Sequence, residues 1–343
     1  MLPFLLAFAH LTERVLLIHW SKPCALENFL VPPEGGLDWR LRAEDNITDD
    51  FLLRNTTSIC DKTAKKKGNK TFEACVAKIV ANKRARVMPI LLTRGDELRR
   101  GNAMFENMTH HLTLRTKRTI SNEPFLRHFG EIFRLLFEPS EGVARELHNT
   151  MTNLNLTAGK FVSAHVRARY SKGNQQLKGK DNENVDLTGG LLFEGENKHR
   201  ATQWAENAIN CAASLAPGLP VYFASDSNDT VSHVLREYDA SLDGVSHHHE
   251  DNTSLAPLCV VGLEGEEPLH IDYIGFAGKN ATEFYSGFVD LLVMGSGRCV
   301  AYGMGGYGRF AAALSGGGSF PCIARHRGND GQMKECEREY TIR

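Results

Sequence analysis

Three short stretches hold side chains whose types and spacing suit chemistry on an anion. The first is His165-Val166-Arg167-Ala168-Arg169-Tyr170. Period-2 alternation puts His165, Arg167 and Arg169 on one face of a strand. A guanidinium can fork onto two phosphate oxygens, which lysine cannot do, so this face reads as an anion clamp. The second stretch is an apolar run that ends in Ser225, Asp226 and Ser227. Two hydroxyls and a carboxylate suit a ribose or the N–H edge of a purine. The same place can also serve as a helix N-cap, with Asn228 or Asp229 in that role.

The third stretch is a β-prone run, Arg298 to Tyr302, followed by Gly303, Gly305, Gly306 and Gly308 and then a small-residue helix from Arg309 to Leu314. Strand, glycine loop and helix turn backbone N–H groups and a helix N-terminus toward an anion. The glycines satisfy G-x-G-x-x-G, but that fingerprint should open a βαβ unit with an acid about 20 positions later. The residues after Gly308 read as loop, so the expectation is a phosphate cradle and not a nicotinamide-binding domain. Together the three stretches describe a nucleotide-diphosphate site. No D-x-D occurs, so no divalent metal held by paired carboxylates is expected; arginine and the helix dipole would stand in. No G-x-S-x-G elbow occurs either.

Such groups converge only if strands carry them to one sheet edge, since open α/β sheets bind ligands at strand C-termini. FVSAHVRARY (161–170) and PVYFASDS (220–227) read as buried strands. Helices are expected at 201–216, over TVSHVLREY, and in the apolar run before Arg298. Strand–helix alternation of this kind means an α/β fold with a parallel sheet. In the first half, RVLLIHW (14–20) and VMPILLTR (87–94) read as strands. Residues 124–137 read as a helix with Phe125, Phe129, Ile132, Phe133 and Leu136 at helical spacing. Ser140 is the expected N-cap of the next helix. The expected division is an N-terminal acceptor-side domain over 1–157 and a nucleotide-sugar-binding domain over 158–343. Lys65 to Lys67 and His247 to His249 read as exposed loop residues, and 171–190 as a long loop of the kind that is functional or mobile.

Composition bounds the partners and the compartment. A net charge of −1 over 343 residues offers no footprint for nucleic acid. Eight N-x-[ST] sequons occur, at Asn46, Asn55, Asn69, Asn107, Asn155, Asn228, Asn252 and Asn280, where chance would place on the order of three. Eight cysteines lack zinc spacing, which fits disulfides, with Cys60–Cys75 and Cys322–Cys336 as the local pairings. Both features point to the secretory pathway. LPFLLAFA near the N-terminus is too short to span a membrane and reads as a helix rather than a signal peptide. The targeting segment is therefore expected upstream, and a membrane enters only through such a missing anchor.

The HVRARY strand, PVYFASDS and FVDLLVMGSGRCVAYGMGGYGRFAAALSG resemble, in order, the three motifs of GDP-fucose-dependent fucosyltransferases of the α1,6-, α1,2- and protein O-fucosyltransferase superfamily. ERVLLIHWSKPCALENFLVPPEGGLDW is similar to the first-domain strand and loop of the plant and algal O-fucosyltransferase-like members. The resemblance implies a GT-B fold, two Rossmann-like domains facing each other across a cleft, with the first domain missing its opening strand and glycine loop. It implies inverting, metal-independent transfer of L-fucose from GDP-fucose, with no cofactor beyond that donor, in the Golgi or ER lumen. Arg167 would be catalytic, binding the β-phosphate as GDP departs. His165 and Asp226 would contact guanine, and Gly303, Gly305, Gly306, Tyr307 and Arg309 would wrap the ribose and diphosphate. Arg169, Ser225 and Ser227 complete the expected donor site. The acceptor would be a glycan, polysaccharide or protein hydroxyl. Three departures stand out: the missing glycine loop, glycine or methionine in place of the third motif's serines, and Gln175 where some members carry an acid. Asp181, Glu183 and Asp186 are the available substitutes. A catalytically inactive GT-B relative that binds a glycan or partner is the alternative.

Overall fold

A computed structural model describes residues 16–18, 24–42, 123–168, 193–242, 258–265, 279–303, 306–315, 322–325 and 336–340. The chain forms two compact units, Met1–Trp20 with Pro32–Asn122, and Ser21–Val31 with Glu123–Arg343. In the first unit Ile18 donates its N–H to the Trp39 carbonyl at 2.8 Å, and Trp39 is fully buried. Ile18 lies in the expected strand 14–20. The expected N-terminal helix, the strand 87–94, Lys65 to Lys67, the loop 171–190 and His247 to His249 lie outside the described residues.

The second unit takes in the helices α1 (Glu123–Leu136) and α2 (Glu141–Asn153), so its limit falls well before residue 158. Phe133 and Leu136 of α1 are buried, as the helical spacing requires. Ser140 caps α2 as expected, accepting from the Val143 N–H at 3.4 Å. Its hydroxyl also donates to the Asn28 carbonyl at 2.7 Å, and its own N–H donates to the Phe29 carbonyl at 2.9 Å. The segment around β1 (Leu30–Val31) is thereby fastened to β2 (Glu138–Pro139), its antiparallel partner. Phe29 completes the seam by stacking on Phe288, ring centroids 4.4 Å apart.

The sheet of this unit comprises β3 (Val162–Val166), β4 (Val221–Ser225), β5 (Val260–Val261), β6 (Cys299–Tyr302), β7 (Cys322–Arg325) and β8 (Glu337–Tyr340). Its spatial order is β5-β4-β3-β6-β7-β8, with every neighbouring pair parallel except β7 and β8. Counted along the chain this is the 3-2-1-4-5-6 order of a doubly wound fold. Both faces are covered. Val162, Ala164 and Val166 share a core with Ala205, Ala208, Ile209 and Ala212 of α3 (Gly195–Leu215) and with Val231 and Val234 of α4 (Asn228–Leu242). The opposite face carries α5 (Tyr285–Ser296) and α6 (Gly306–Leu314). There Ser163 Oγ donates to the Met294 carbonyl at 3.3 Å.

Three expectations change. The residues after Gly308 are not all loop, because β6, α6 and β7 form a βαβ unit and β8 returns beside β7. Four residues suffice for β7 since β6 supplies its ladder, and Ile323 and Ala324 are fully buried. The helix expected from Arg309 begins at Gly306, so part of the glycine loop is helix. Cys336 pairs with Cys211 of α3, Cα atoms 5.2 Å apart, and not with Cys322. The antiparallel register sets Arg325 opposite Glu337, which leaves Cys322 and Cys336 at opposite ends of the hairpin. About three strand residues, roughly 10 Å, separate them, too far for a bridge. Cys60 and Cys75 lie outside the described residues.

The Cys211–Cys336 bond closes a loop of 125 residues and staples α3 to the end of the sheet. Reduction, or Cys211→Ser, is expected to lower the stability of this unit by about 2–5 kcal/mol. Denaturant melts with and without reductant check this; an unchanged midpoint would contradict it.

Candidate functional site

The chain reverses its direction of growth across the sheet between β3 and β6, so the crevice beyond their C-terminal ends is the switch point where open α/β sheets bind ligands. Parallel register sets the edge. Val166 pairs with Ser225, and His165 pairs with Tyr302. The residues that follow, Arg167, Asp226 and Gly303, therefore leave the sheet side by side. Gly303 donates its N–H to the His165 carbonyl at 3.4 Å, continuing the ladder one step.

Asp226 organises this rim. Its Oδ1 accepts from the Ala168 N–H at 2.6 Å, and its Oδ2 stands 4.0 Å from Arg167 Nε. A charge-assisted bond to backbone is worth about 1.5–3 kcal/mol, so the carboxylate fixes the turn that leaves β3. The Arg167 side chain keeps 22% of its surface exposed at the edge. Ala168 joins the α3 core, which leaves Arg167 on the same face as His165.

Ser225 and Ser227 take structural roles here. Ser225 Oγ accepts from the Ser227 N–H at 3.3 Å, and Ser227 Oγ accepts from the Thr230 N–H at 3.3 Å. The N-cap of α4 is thus Ser227, not Asn228 or Asp229, because the helix already includes both of those. Asn228 instead accepts from the Gly265 N–H at 3.2 Å. Asn155 and Asn280 are exposed, while Asn46, Asn55, Asn69, Asn107 and Asn252 lie outside the described residues.

The glycine stretch divides by function. Gly306 opens α6 with open space around its Cα, whereas Gly308 is pressed onto the sheet. A Cβ at Gly308 would come within 2.7 Å of both His165 Nδ1 and Tyr302 Cβ. This glycine lets α6 approach the strand ends, the role of the last glycine in a G-x-G-x-x-G turn. The free N–H groups of the first turn of α6 are thereby brought to the rim. His165 is covered in consequence, 4% exposed under α6, with its ring 5.3 Å from that of Tyr307. Tyr307 points its hydroxyl away from the rim, donating to the Gly287 carbonyl of α5. Arg309 is exposed on α6. Arg169 and Gly305 lie outside the described residues.

A buried carboxyl lies beneath the site. Asp290 of α5 accepts from the Tyr222 hydroxyl of β4. Burial pushes its carboxyl up to about 7, against the lowering effect of the Tyr222 hydrogen bond. Sequence reasoning missed this pair, since a single acid in YSGFVDLLVM carries no periodic signal. No group of three or more His, Cys, Asp or Glu side chains able to hold a metal occurs among the described residues.

No family model and no curated protein matches the chain. Among solved structures, a mutant of Arabidopsis thaliana FUT1 in complex with GDP superposes with a TM-score of 0.55 at 14% identity, covering 98% of this chain and 70% of that one. Fucosyltransferase NodZ from Bradyrhizobium covers 94% of this chain and 89% of its own at a TM-score of 0.41 and 13% identity. POFUT1 in complex with GDP-fucose covers 94% and 92% at a TM-score of 0.40 and 12% identity. The likeness to FUT1 bears out, at the level of the fold, the resemblance read from the three motifs. The chain has an α/β fold of the GT-B type.

Two outcomes follow from the site's packing. Gly308→Ala must push α6 off β3 and β6, at about 1–3 kcal/mol, read as a lowered denaturation midpoint. For Asp290, the unfolded chain releases its proton near pH 4 while the folded protein holds it to about 7. Its contribution to stability is therefore greatest in acid and is lost as pH rises through that window. Asp290→Asn, which still accepts from Tyr222, is expected to flatten the decline in unfolding free energy between about pH 4 and 7; equal slopes in the two proteins would refute the assignment.

Proposed function

We propose that this protein is an inverting glycosyltransferase that moves L-fucose from GDP-fucose to an acceptor hydroxyl. The supporting observation is the Arg167–Asp226 pair at the switch point, beside the first turn of a helix, in a fold shared with a GDP-bound protein. In this reading the acceptor oxygen attacks C1 of fucose from the face opposite the phosphate. The C1–oxygen bond to GDP breaks, GDP takes the electron pair, and the acceptor proton leaves to a base. Charge accumulates on the departing β-phosphate, so a fixed guanidinium lowers the barrier most when it meets that phosphate as it separates. Asp226 holds the turn that carries Arg167, and the N–H groups of α6 grip the diphosphate from the other side, before and during transfer alike. In this reading Arg167 meets the departing charge and the helix end holds the diphosphate, the two tasks otherwise given to a divalent metal.

Ser225 and Ser227 lie beside the position for the ribose, but their hydroxyls already accept backbone N–H groups; each retains its own O–H to donate. The acceptor class in this reading is a glycan, polysaccharide or protein hydroxyl. The eight sequons and the Cys211–Cys336 disulfide support a Golgi or ER lumenal setting.

Arg167→Ala is expected to cut GDP-fucose turnover by about 10²–10³-fold at an unchanged melting temperature. Arg167→Lys recovers only part of it, since an ammonium cannot bridge two phosphate oxygens. Calorimetric titration with GDP and assay of GDP release from GDP-fucose check both. Near-normal turnover in Arg167→Ala would sink the mechanism.

A further inference from the structure

Tyr307 belongs to the first turn of α6, yet its hydroxyl is keyed into a different helix. It donates to the Gly287 carbonyl of α5, the carbonyl that the Leu291 N–H meets one turn on. Gly287 and Leu291 are four residues apart, so they are the two ends of one rung of the α5 ladder. A side-chain hydroxyl bonded to the carbonyl of such a rung fixes its owner to the helix by a directional contact, and burial beside Asp290 keeps the phenol protonated. The ring rests on His165 of β3.

The far end of α6 is held separately. Arg134 of α1 donates to the Leu314 carbonyl at 3.0 Å, and Gly130 of α1 leaves no room for a Cβ against the Ala313 carbonyl. A helix of nine residues gripped at its C-terminus alone could still pivot at the end that faces the rim. At that end the Tyr307 hydroxyl supplies a polar contact to α5, and Gly308 contributes close packing without direction.

We propose that Tyr307 is a positioning residue of the nucleotide site, whose hydroxyl, keyed into α5, sets where the first turn of α6 stands relative to Arg167. This rests on the functional reading above only for the identity of the ligand. A phosphate held by that turn is bound alike in ground state and transition state, so the hydroxyl acts on donor affinity and not on the chemical step.

The test is Tyr307→Phe, which keeps the ring on His165 and removes only the oxygen. Amide hydrogen exchange without ligand reads the placement of the helix directly. Phe310 and Ala311, whose N–H groups close the first rungs of α6, are expected to exchange about 10-fold faster at an unchanged melting temperature. GDP titration is expected to show about 10-fold weaker binding, and steady-state assay a donor KM raised by a similar factor with kcat preserved. Unaltered exchange at Phe310 and Ala311 would overturn the inference, as would unaltered GDP affinity or a fall in kcat alone. Failure of the wild-type protein to bind GDP would instead overturn the functional reading, and the exchange comparison would then decide the inference by itself.

Discussion

One carboxylate ties together the ends of two strands. Asp226 leaves β4, accepts the Ala168 N–H beyond β3 and stands beside the Arg167 guanidinium. Without it the turn after Val166 would have an unsatisfied N–H in a half-buried place, at a cost of about 1–3 kcal/mol. The guanidinium would also lose the charge that aligns it. Parallel register alone carries the strand ends to a common edge; this bond turns the edge into a shaped rim. It also explains an acid next to a proposed anion site. A lone arginine is free to fold down onto any carbonyl, whereas one held by a fixed carboxylate keeps its place.

The second constraint is closeness. Helix α6 reaches the strand ends because Gly308 has no side chain, and it reaches α1 because Gly130 and Ala313 meet backbone to backbone. Small residues here serve distance and not flexibility. The dipole of a helix falls off within a turn, so a displacement of an ångström or two would weaken its field at the rim. That accounts for a helix braced at both termini by Arg134 and Tyr307, polar side chains that each reach out to another element.

Burying polar groups is the cost of this arrangement. Tyr222 and Asp290 face each other between β4 and α5, and Ser163 donates to Met294 nearby. Every one of these groups finds a partner within the layer between sheet and helices. Burial pushes the Asp290 carboxyl up to about 7, so the acid keeps its proton over a wider pH range there, which lowers the cost of placing it in an apolar layer.

The order of elements was legible in the residues. Continuous apolar runs marked β3, β4 and β6, helical spacing marked α1, and Ser140 marked the start of α2, because these signals are local and repeat with the period of the backbone. Arg167, Asp226 and Gly303 could be named as rim residues for the same reason: each directly follows a buried strand. The short strands β7 and β8 were not legible, since four residues become a strand only when a neighbour supplies the ladder. Nor was the Cys211–Cys336 pairing, which depends on where a hairpin ends and not on spacing along the chain. Strand length and alternation, both written in the residues, set which side chains arrive at the sheet edge. What each does there comes from the packing of the folded chain. That packing buries His165 and turns Tyr307 toward α5 through elements far apart in the chain, and it starts α4 at Asn228, which commits Ser227 to the helix cap.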